Sequence, residues 1–388
     1  MKRILFILTS LLVGASLWGQ SALEDVPDRS VYVGSYNGGQ YFSKTSPTKM
    51  DFNGSELVTN GTFDDNVTGW TAVAATLSHE TVIKRTGGGS AKMVWASGTA
   101  MVLLSTAVSN ASTNKFTAEA WVYAPTGNTN FTAAIFIANQ VGTAISGITN
   151  VVLVADTWTK LVVNATAPGT QTSVQLRVRL DAAASGDILY VDDASLTQAW
   201  DFLVITDVKP TVAGSFNEIF SAYNASIRYE FRKSSTEKLQ TILYDGSTTP
   251  TAQSSGNIVT NAWQRIASTL DRTGSATNYI SGAVDGAALI TSLGKLSAWS
   301  VADVGIHLAD PSRWWTGQIG EVLVVRYASL PTDIASWIAY ANTQRFIPEP
   351  PGGGETVLRI FGRRNDALDQ SGNQGLLVNT GGTPIIPK

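Results

Sequence analysis

Between residues 24 and 330, apolar and polar positions alternate in short runs that clusters of Gly, Asn, Asp, Ser, Thr and Pro interrupt. A period of two sends successive side chains to opposite faces of an extended chain, so the pattern predicts short strands joined by tight turns. In residues 116–123 one face carries Phe116, Ala118, Ala120 and Val122, and the other carries Thr117, Glu119, Trp121 and Tyr123. Residues 173–180 repeat the arrangement, with Val174, Leu176, Val178 and Leu180 facing a core and Gln175, Arg177 and Arg179 facing away. The clearest helical spacing is in residues 331–344, where Pro331 suits a first turn and Ile334, Trp337, Ile338 and Ala341 recur at a helical period. The expected fold is all-β: two jelly-roll β-sandwich domains and one short helix near the C-terminus.

Composition sets the scale. With 388 residues, 44% hydrophobic content, 35 Gly and 15% charged residues, the chain can bury two cores and is no disordered polyelectrolyte. The net charge of −3 carries no basic block, which argues against nucleic acid as a partner. Zero cysteines exclude disulfides and thiolate metal sites. Lys2 and Arg3 precede an apolar run from Ile4 to Trp18, shorter than a membrane span, so residues 1–20 read as an export signal and the protein as secreted or cell-surface. An N-terminal segment (21–55), two domains (56–198 and 199–347), a Pro- and Gly-rich linker (348–355) and a tail (356–388) complete the layout.

Candidate chemistry sits on the outward faces. If the strands around 116–123 and 173–180 share a sheet, Glu119, Trp121, Tyr123, Gln175 and Arg177 form one surface of aromatic planes, an acid, an amide and guanidinium forks. Sugars suit that mixture, because their C–H faces stack on rings while their hydroxyls need fixed donors and acceptors. The alternative is that Trp121 and Tyr123 pack on a neighbouring domain while Glu119 and Arg177 make a surface ion pair. Trp70, Trp95 and Trp158 read as core residues. Two histidines, His79 and His307, fall in different modules and offer little for nucleophilic catalysis. Glu218, Glu230 and Glu321 are the carboxylates that a hydrolytic pair would draw on, with a structural role favoured for Glu321.

The segments 57–70, 89–94, 156–160, 174–177 and 190–196 resemble, in order, the signature segments of carbohydrate-binding modules of the family 4/9/22 type, over about residues 56–198. The resemblance implies a jelly roll with a cleft across one sheet and a structural calcium, for which Asp64, Asp192 and Asp193 are candidate ligands. That family more often carries Glu at the place of Asp64, and turn capping is the other role open to these acids. Segments 261–271, 278–286 and 315–330 resemble the laminin-G or concanavalin A-like lectin group, over about residues 200–347. Residues 39–54 resemble the opening strands of that same domain and residues 200–211 its continuation, so tandem and inserted arrangements are both open. The resulting expectation is a non-catalytic protein that binds polysaccharide or cell-surface glycan. An adhesin or phage or cell-surface structural protein is the alternative, and a glycoside hydrolase comes third.

Overall fold

The computed structural model describes residues 31–36, 39–45, 51–109, 114–224, 227–296, 301–305, 313, 315–360 and 377–379. The expected export signal and His307 lie outside them. The chain opens with β1 (Val31–Tyr36), β2 (Gly39–Thr45) and β3 (Asn53–Glu56). Next come β4 (Trp70–Val73), β5 (Ala75–Glu80), β6 (Ser90–Trp95), β7 (Ala100–Ser105), β8 (Val108–Ser109) and β9 (Lys115–Tyr123). They are followed by β10 (Thr132–Ala138), β11 (Thr149–Val152), β12 (Thr159–Thr166), β13 (Ser173–Asp181) and β14 (Ile188–Ala199). Beyond Trp200 run β15 (Asp201–Pro210), β16 (Asn217–Tyr223), β17 (Arg228–Lys233), β18 (Lys238–Tyr244), β19 (Thr251–Asn257) and β20 (Gln264–Leu270). The remainder is β21 (Ser275–Ile280), β22 (Ala283–Leu289), β23 (Val301–Val304), β24 (Gly317–Tyr327), helix α1 (Ile334–Thr343), β25 (Gly354–Ile360) and β26 (Leu377–Asn379).

These strands build two all-β sandwiches. In the first, a sheet of order β11-β10-β13-β7-β4, with β8 beside β13, faces a sheet of order β12-β9-β14-β6-β5, with β3 beside β14. Alternation explains the core between them: Phe116, Ala118, Ala120 and Val122 from β9 meet Val174, Leu176, Val178 and Leu180 from β13. In the second, β1-β2-β23-β16-β17-β18-β19 faces β22-β21-β20-β15-β24-β25, with β26 pairing the start of β24. Phe202, Val204 and Val208 of β15 point into this core, while Leu203 and Ile205 point outward to meet Ile334, Ile338 and Ala341 of α1. The helix thus covers the outer face of that sheet. Arg265, in a bidentate pair with Asp207, donates from Nη1 to the carbonyls of Ala341 and Gln344 at the helix C-terminus. No helix among the described residues is long and apolar enough to cross a membrane.

Sheet pairing orders the chain in an informative way. β1 and β2 precede the first sandwich but join, through β23, the sheet of strands that follow it. The chain crosses between sandwiches at two adjacent points, since the Trp200 amide donates to the Phe52 carbonyl at 2.9 Å. β25 begins inside the stretch that reads as linker and pairs with β24 from Val322↔Ile360 to Tyr327↔Gly354.

The junction between sandwiches is polar and buried. Lys115 Nζ lies 2.6 Å from both Asp201 and Asp271, and the Asp201 side chain is solvent-inaccessible. Arg272 Nη2 donates to Thr117 Oγ1 (3.0 Å) and to the Gly294 carbonyl (2.7 Å). Asn164 Nδ2 donates to the Leu293 carbonyl at 2.9 Å, and Asn53 Oδ1 accepts the Leu296 amide at 2.8 Å. Substituting Lys115→Met leaves the buried Asp201 without its cation and is expected to cost about 3–5 kcal/mol. Urea denaturation followed by tryptophan fluorescence checks it, and an unshifted midpoint would show that the pair contributes nothing.

Candidate functional site

The two strands expected to share one surface belong to opposite sheets, with β9 between β12 and β14 and β13 between β10 and β7. Their outward faces therefore look to opposite sides of the sandwich, and the five-residue constellation divides. On the β9 side, Glu119 pairs with Lys160 at 3.1 Å and accepts the Lys295 amide at 3.1 Å, so it serves the junction rather than a ligand. Trp121 is half-buried, with the Arg85 guanidinium 3.8 Å from its ring centroid. Arg85 comes from the 81–89 loop and is itself held by Asp193 at 2.5 Å, so one face of the indole is roofed by the module's own loop. Tyr123 donates to Asp156 at 3.0 Å and packs beside Tyr190 and Trp158. Trp70 is in the core as expected, Trp95 packs against its edge, and Trp158 lies outside it beside Tyr123. His79 Nε2 sits 2.8 Å from the Phe63 carbonyl.

The β13 side is different. Backbone register aligns Asn150, Ala134, Arg179, Val102 and Val73 across five strands, and beside them Phe136, Arg177, Leu104 and Thr71. Their sequence neighbours Ile135, Val178 and Leu103 fill the core, so these rows form the outward face. Asn150 is exposed, Val73 and Val152 are 52% and 75% exposed, and Phe136 is largely covered, with Arg179 5.6 Å from its ring centroid. Arg179 pairs with Asp181 at 2.6 Å. Arg177 is half-buried and donates from Nη2 to Gln175 Oε1 at 3.0 Å. Gln175, expected to face solvent, is 7% exposed and lies under this contact. Gly142 lies in a tight loop beside the same guanidinium: its φ of +95° favours glycine, and a Cβ there would come 2.6 Å from Arg177 Nη1. Sequence reasoning missed Phe136 and Asn150 as site residues.

The acids read as calcium ligands hold a loop. Asp64 Oδ1 accepts the Gly88 amide (2.5 Å) and Oδ2 the Thr62 hydroxyl (2.8 Å). Asp192 accepts the amides of Arg85, Thr86 and Asp193 at 2.7–3.2 Å, and Asp193 accepts the Thr86 hydroxyl at 2.8 Å. Burial raises the Asp192 pKa, against the pull of those amides. N–H donors and a guanidinium already occupy these oxygens, and among the described residues no group of three or more His, Cys, Asp or Glu is placed to hold a metal. The role these acids show in the structure is turn capping.

In the second sandwich, Glu218 and Glu230 do come together, joined by Asp303. Ser221 pairs in register with both Glu230 and Asp303, on the side of the sheet opposite Phe220, Ala222, Phe231 and Val304. All three carboxylates are at most 1% exposed. Glu230 is ringed by Arg232 at 2.7 Å, Arg313 at 3.2 Å and Arg228 at 3.5 Å. Neither Glu218 oxygen makes a hydrogen bond among the described residues. Burial, then the neighbouring Glu230, pushes the Glu218 carboxyl well above the ordinary range. Glu321 Oε2 accepts the Ile347 amide at 2.7 Å, a structural contact.

Residues 55–185 match the family described as a carbohydrate binding domain, and residues 183–335 match the concanavalin A-like lectin/glucanases superfamily. Both resemblances read from the sequence are borne out, and the first match supports glycan binding. The boundary between the matches detaches β14, which the sheet pairing assigns to the first sandwich. Among solved structures, a family 16 carbohydrate-binding module is 20% identical, with a TM-score of 0.29 over 36% of this chain and 98% of that one. A heptameric SAP-like pentraxin from Limulus polyphemus is 13% identical, with a TM-score of 0.32 over 64% and 96%. An arabinose-bound GH51 α-L-arabinofuranosidase is 18% identical, with a TM-score of 0.33 over 38% of this chain and 27% of the enzyme. No curated protein sequence matches the chain.

The raised Glu218 pKa has a defined sign. The folded state holds this proton more tightly than the unfolded chain does, so its contribution is fully present below the unfolded value and is lost as pH rises toward the folded one. Glu218→Gln is therefore expected to raise the melting temperature by a few degrees at pH 8 and to change it little at pH 4. Thermal melts at the two pH values check this, and an equal effect at both would show that ionisation is not involved.

Proposed function

We propose that this chain is a secreted, non-catalytic glycan-binding protein, and that it takes carbohydrate on the outward face of β11-β10-β13-β7-β4. The observation that carries the reading is that face itself: five strands wide, on the side of the sandwich opposite the second module, with guanidinium and amide groups set among part-exposed aliphatic side chains. Concave or flat apolar surfaces with a few fixed polar groups are what ring hydroxyls and C–H faces require together. The match to a carbohydrate binding domain over the same module supports it. The opposite sheet face is a weaker candidate, because the second module takes up Glu119 and Lys160 and Arg85 roofs Trp121.

Absence of catalysis is part of the proposal. A hydrolytic pair must touch a glycosidic oxygen and a water, whereas Glu218, Glu230 and Asp303 are out of contact with solvent. In the first sandwich Asp64, Asp192 and Asp193 are spent on the 81–89 loop, Asp156 on the Tyr123 hydroxyl, Asp181 on Arg179 and Glu119 on the junction.

Affinity electrophoresis through gels cast with soluble polysaccharides tests the reading. Retardation in at least one gel is expected, and Asn150→Ala is expected to weaken it about two- to tenfold, the effect of one lost hydrogen bond. Trp121→Ala should leave it unchanged. Free migration in every gel would remove glycan binding altogether, while loss of retardation in Trp121→Ala but not in Asn150→Ala would move the site to the other sheet.

A further inference from the structure

We infer that the glycan carries acidic groups, and that Arg177 is the residue set to receive a carboxylate or sulfate from it. This rests on the glycan-binding face proposed above and names the class of ligand.

Arg179 is neutralised by Asp181 on its own strand, at 2.6 Å. Arg177 has no carboxylate partner among the described residues, and its hydrogen bond is to the neutral amide of Gln175. The elements packed around it add no compensating charge: β10, β11, β7, β4 and the 139–148 loop contain no Asp, Glu, Lys or Arg. An unpaired guanidinium on an open surface would be unremarkable, since water solvates it.

Arg177 is not on an open surface. It is half-buried, its Nε is shut off from solvent with no acceptor, and Gly142 lies so near the guanidinium that a Cβ built there would come 2.6 Å from Nη1. Burial lowers its pKa with no carboxylate to offset that cost. A partly desolvated charge without a counter-charge is unfavourable, and a ligand oxyanion relieves it by supplying both acceptors and opposite charge. A neutral sugar hydroxyl needs only an amide or a hydroxyl, both of which the face already offers in Asn150 and Thr132. The planar guanidinium fork matches carboxylate and sulfate geometry in a way that an ammonium does not.

The test is titration calorimetry on the full chain with four polymers: polygalacturonate for carboxylate, a sulfated galactan for sulfate, and mixed-linkage β-glucan and arabinan as neutral controls. At low salt, at least one acidic polymer is expected to bind about tenfold or more tightly than either neutral one, and added NaCl should erode that preference. The polymer that binds better identifies the oxyanion. Arg177→Gln should abolish the preference without lowering the melting temperature. Arg177→Lys, which keeps the charge and loses the fork, should retain the salt dependence with weaker affinity, and it carries the test if the Gln variant does not fold. Equal affinity for acidic and neutral polymers, or an undiminished acidic preference in Arg177→Gln, would overturn the inference and leave the glycan reading intact. Failure of all four polymers to bind would overturn both.

Discussion

Lys115, clamped between Asp201 and Asp271, ties β9 to the first strand beyond the crossover at Trp200 and to the turn that follows β20. Around it, Arg272, Asn164, Lys160 and Asn53 each reach from one sandwich to groups of the other or of the crossing strands. Ionic groups taken out of water are seldom the source of stability, but they tolerate few alternative geometries, because misplacing one leaves its partner buried and unpaired. Burial pulls the Arg272 guanidinium down to about 10 even with Asp201, Asp245 and Glu119 nearby. Asp245, which burial alone would raise, is held at about 2 by the Thr248, Gly294 and Ser247 amides and by Lys160. Such a junction fixes how the modules meet, and through that it fixes which sheet face of the first sandwich remains available.

The parts legible in the sequence were those with a local period. The inward sets of β9 and β13 fall where alternation puts them, since a strand with one buried face cannot slip by one residue without turning its core outward. The helix was legible from Ile334, Ile338 and Ala341, all buried. Sheet membership was not legible, because β9 pairs with strands near residues 160 and 195, and β13 with strands near 103 and 136. Nothing local in either strand names those partners. Phe136 escaped for a related reason: β10 is apolar except at Thr132, so alternation could not say that Ile135 and Ile137 point in while Phe136 points out.

Glu119 and the loop acids show a second limit. A carboxylate beside rings looks like a ligand group, and adjacent carboxylates at a strand end look like a metal site, until their partners are known. Here the partners are Lys160 and the Lys295 amide of the second module for Glu119, and the amides of the 85–88 turn for Asp64 and Asp192. Those partners lie tens to more than a hundred residues away in the chain, so only the folded arrangement reveals that the charges are already spent.

The outer faces of the four sheets differ in what lies on them. One face of the second sandwich is covered by α1, and the other carries the buried Glu218, Glu230 and Asp303 with their arginines. The β9 face of the first sandwich meets the second module at one end and is roofed by Arg85 at the other. The β13 face presents exposed aliphatic and amide groups in register across its width. A sheet face with no structural neighbour would ordinarily be polar throughout, to keep it soluble and monomeric. Val73, Val102, Leu104 and Val152 break that rule around an uncompensated arginine. Exposed aliphatic surface and a half-buried, unpaired positive charge are both costs in the isolated protein, and the ligand inferred above, with apolar sugar faces and an acidic substituent, would relieve both.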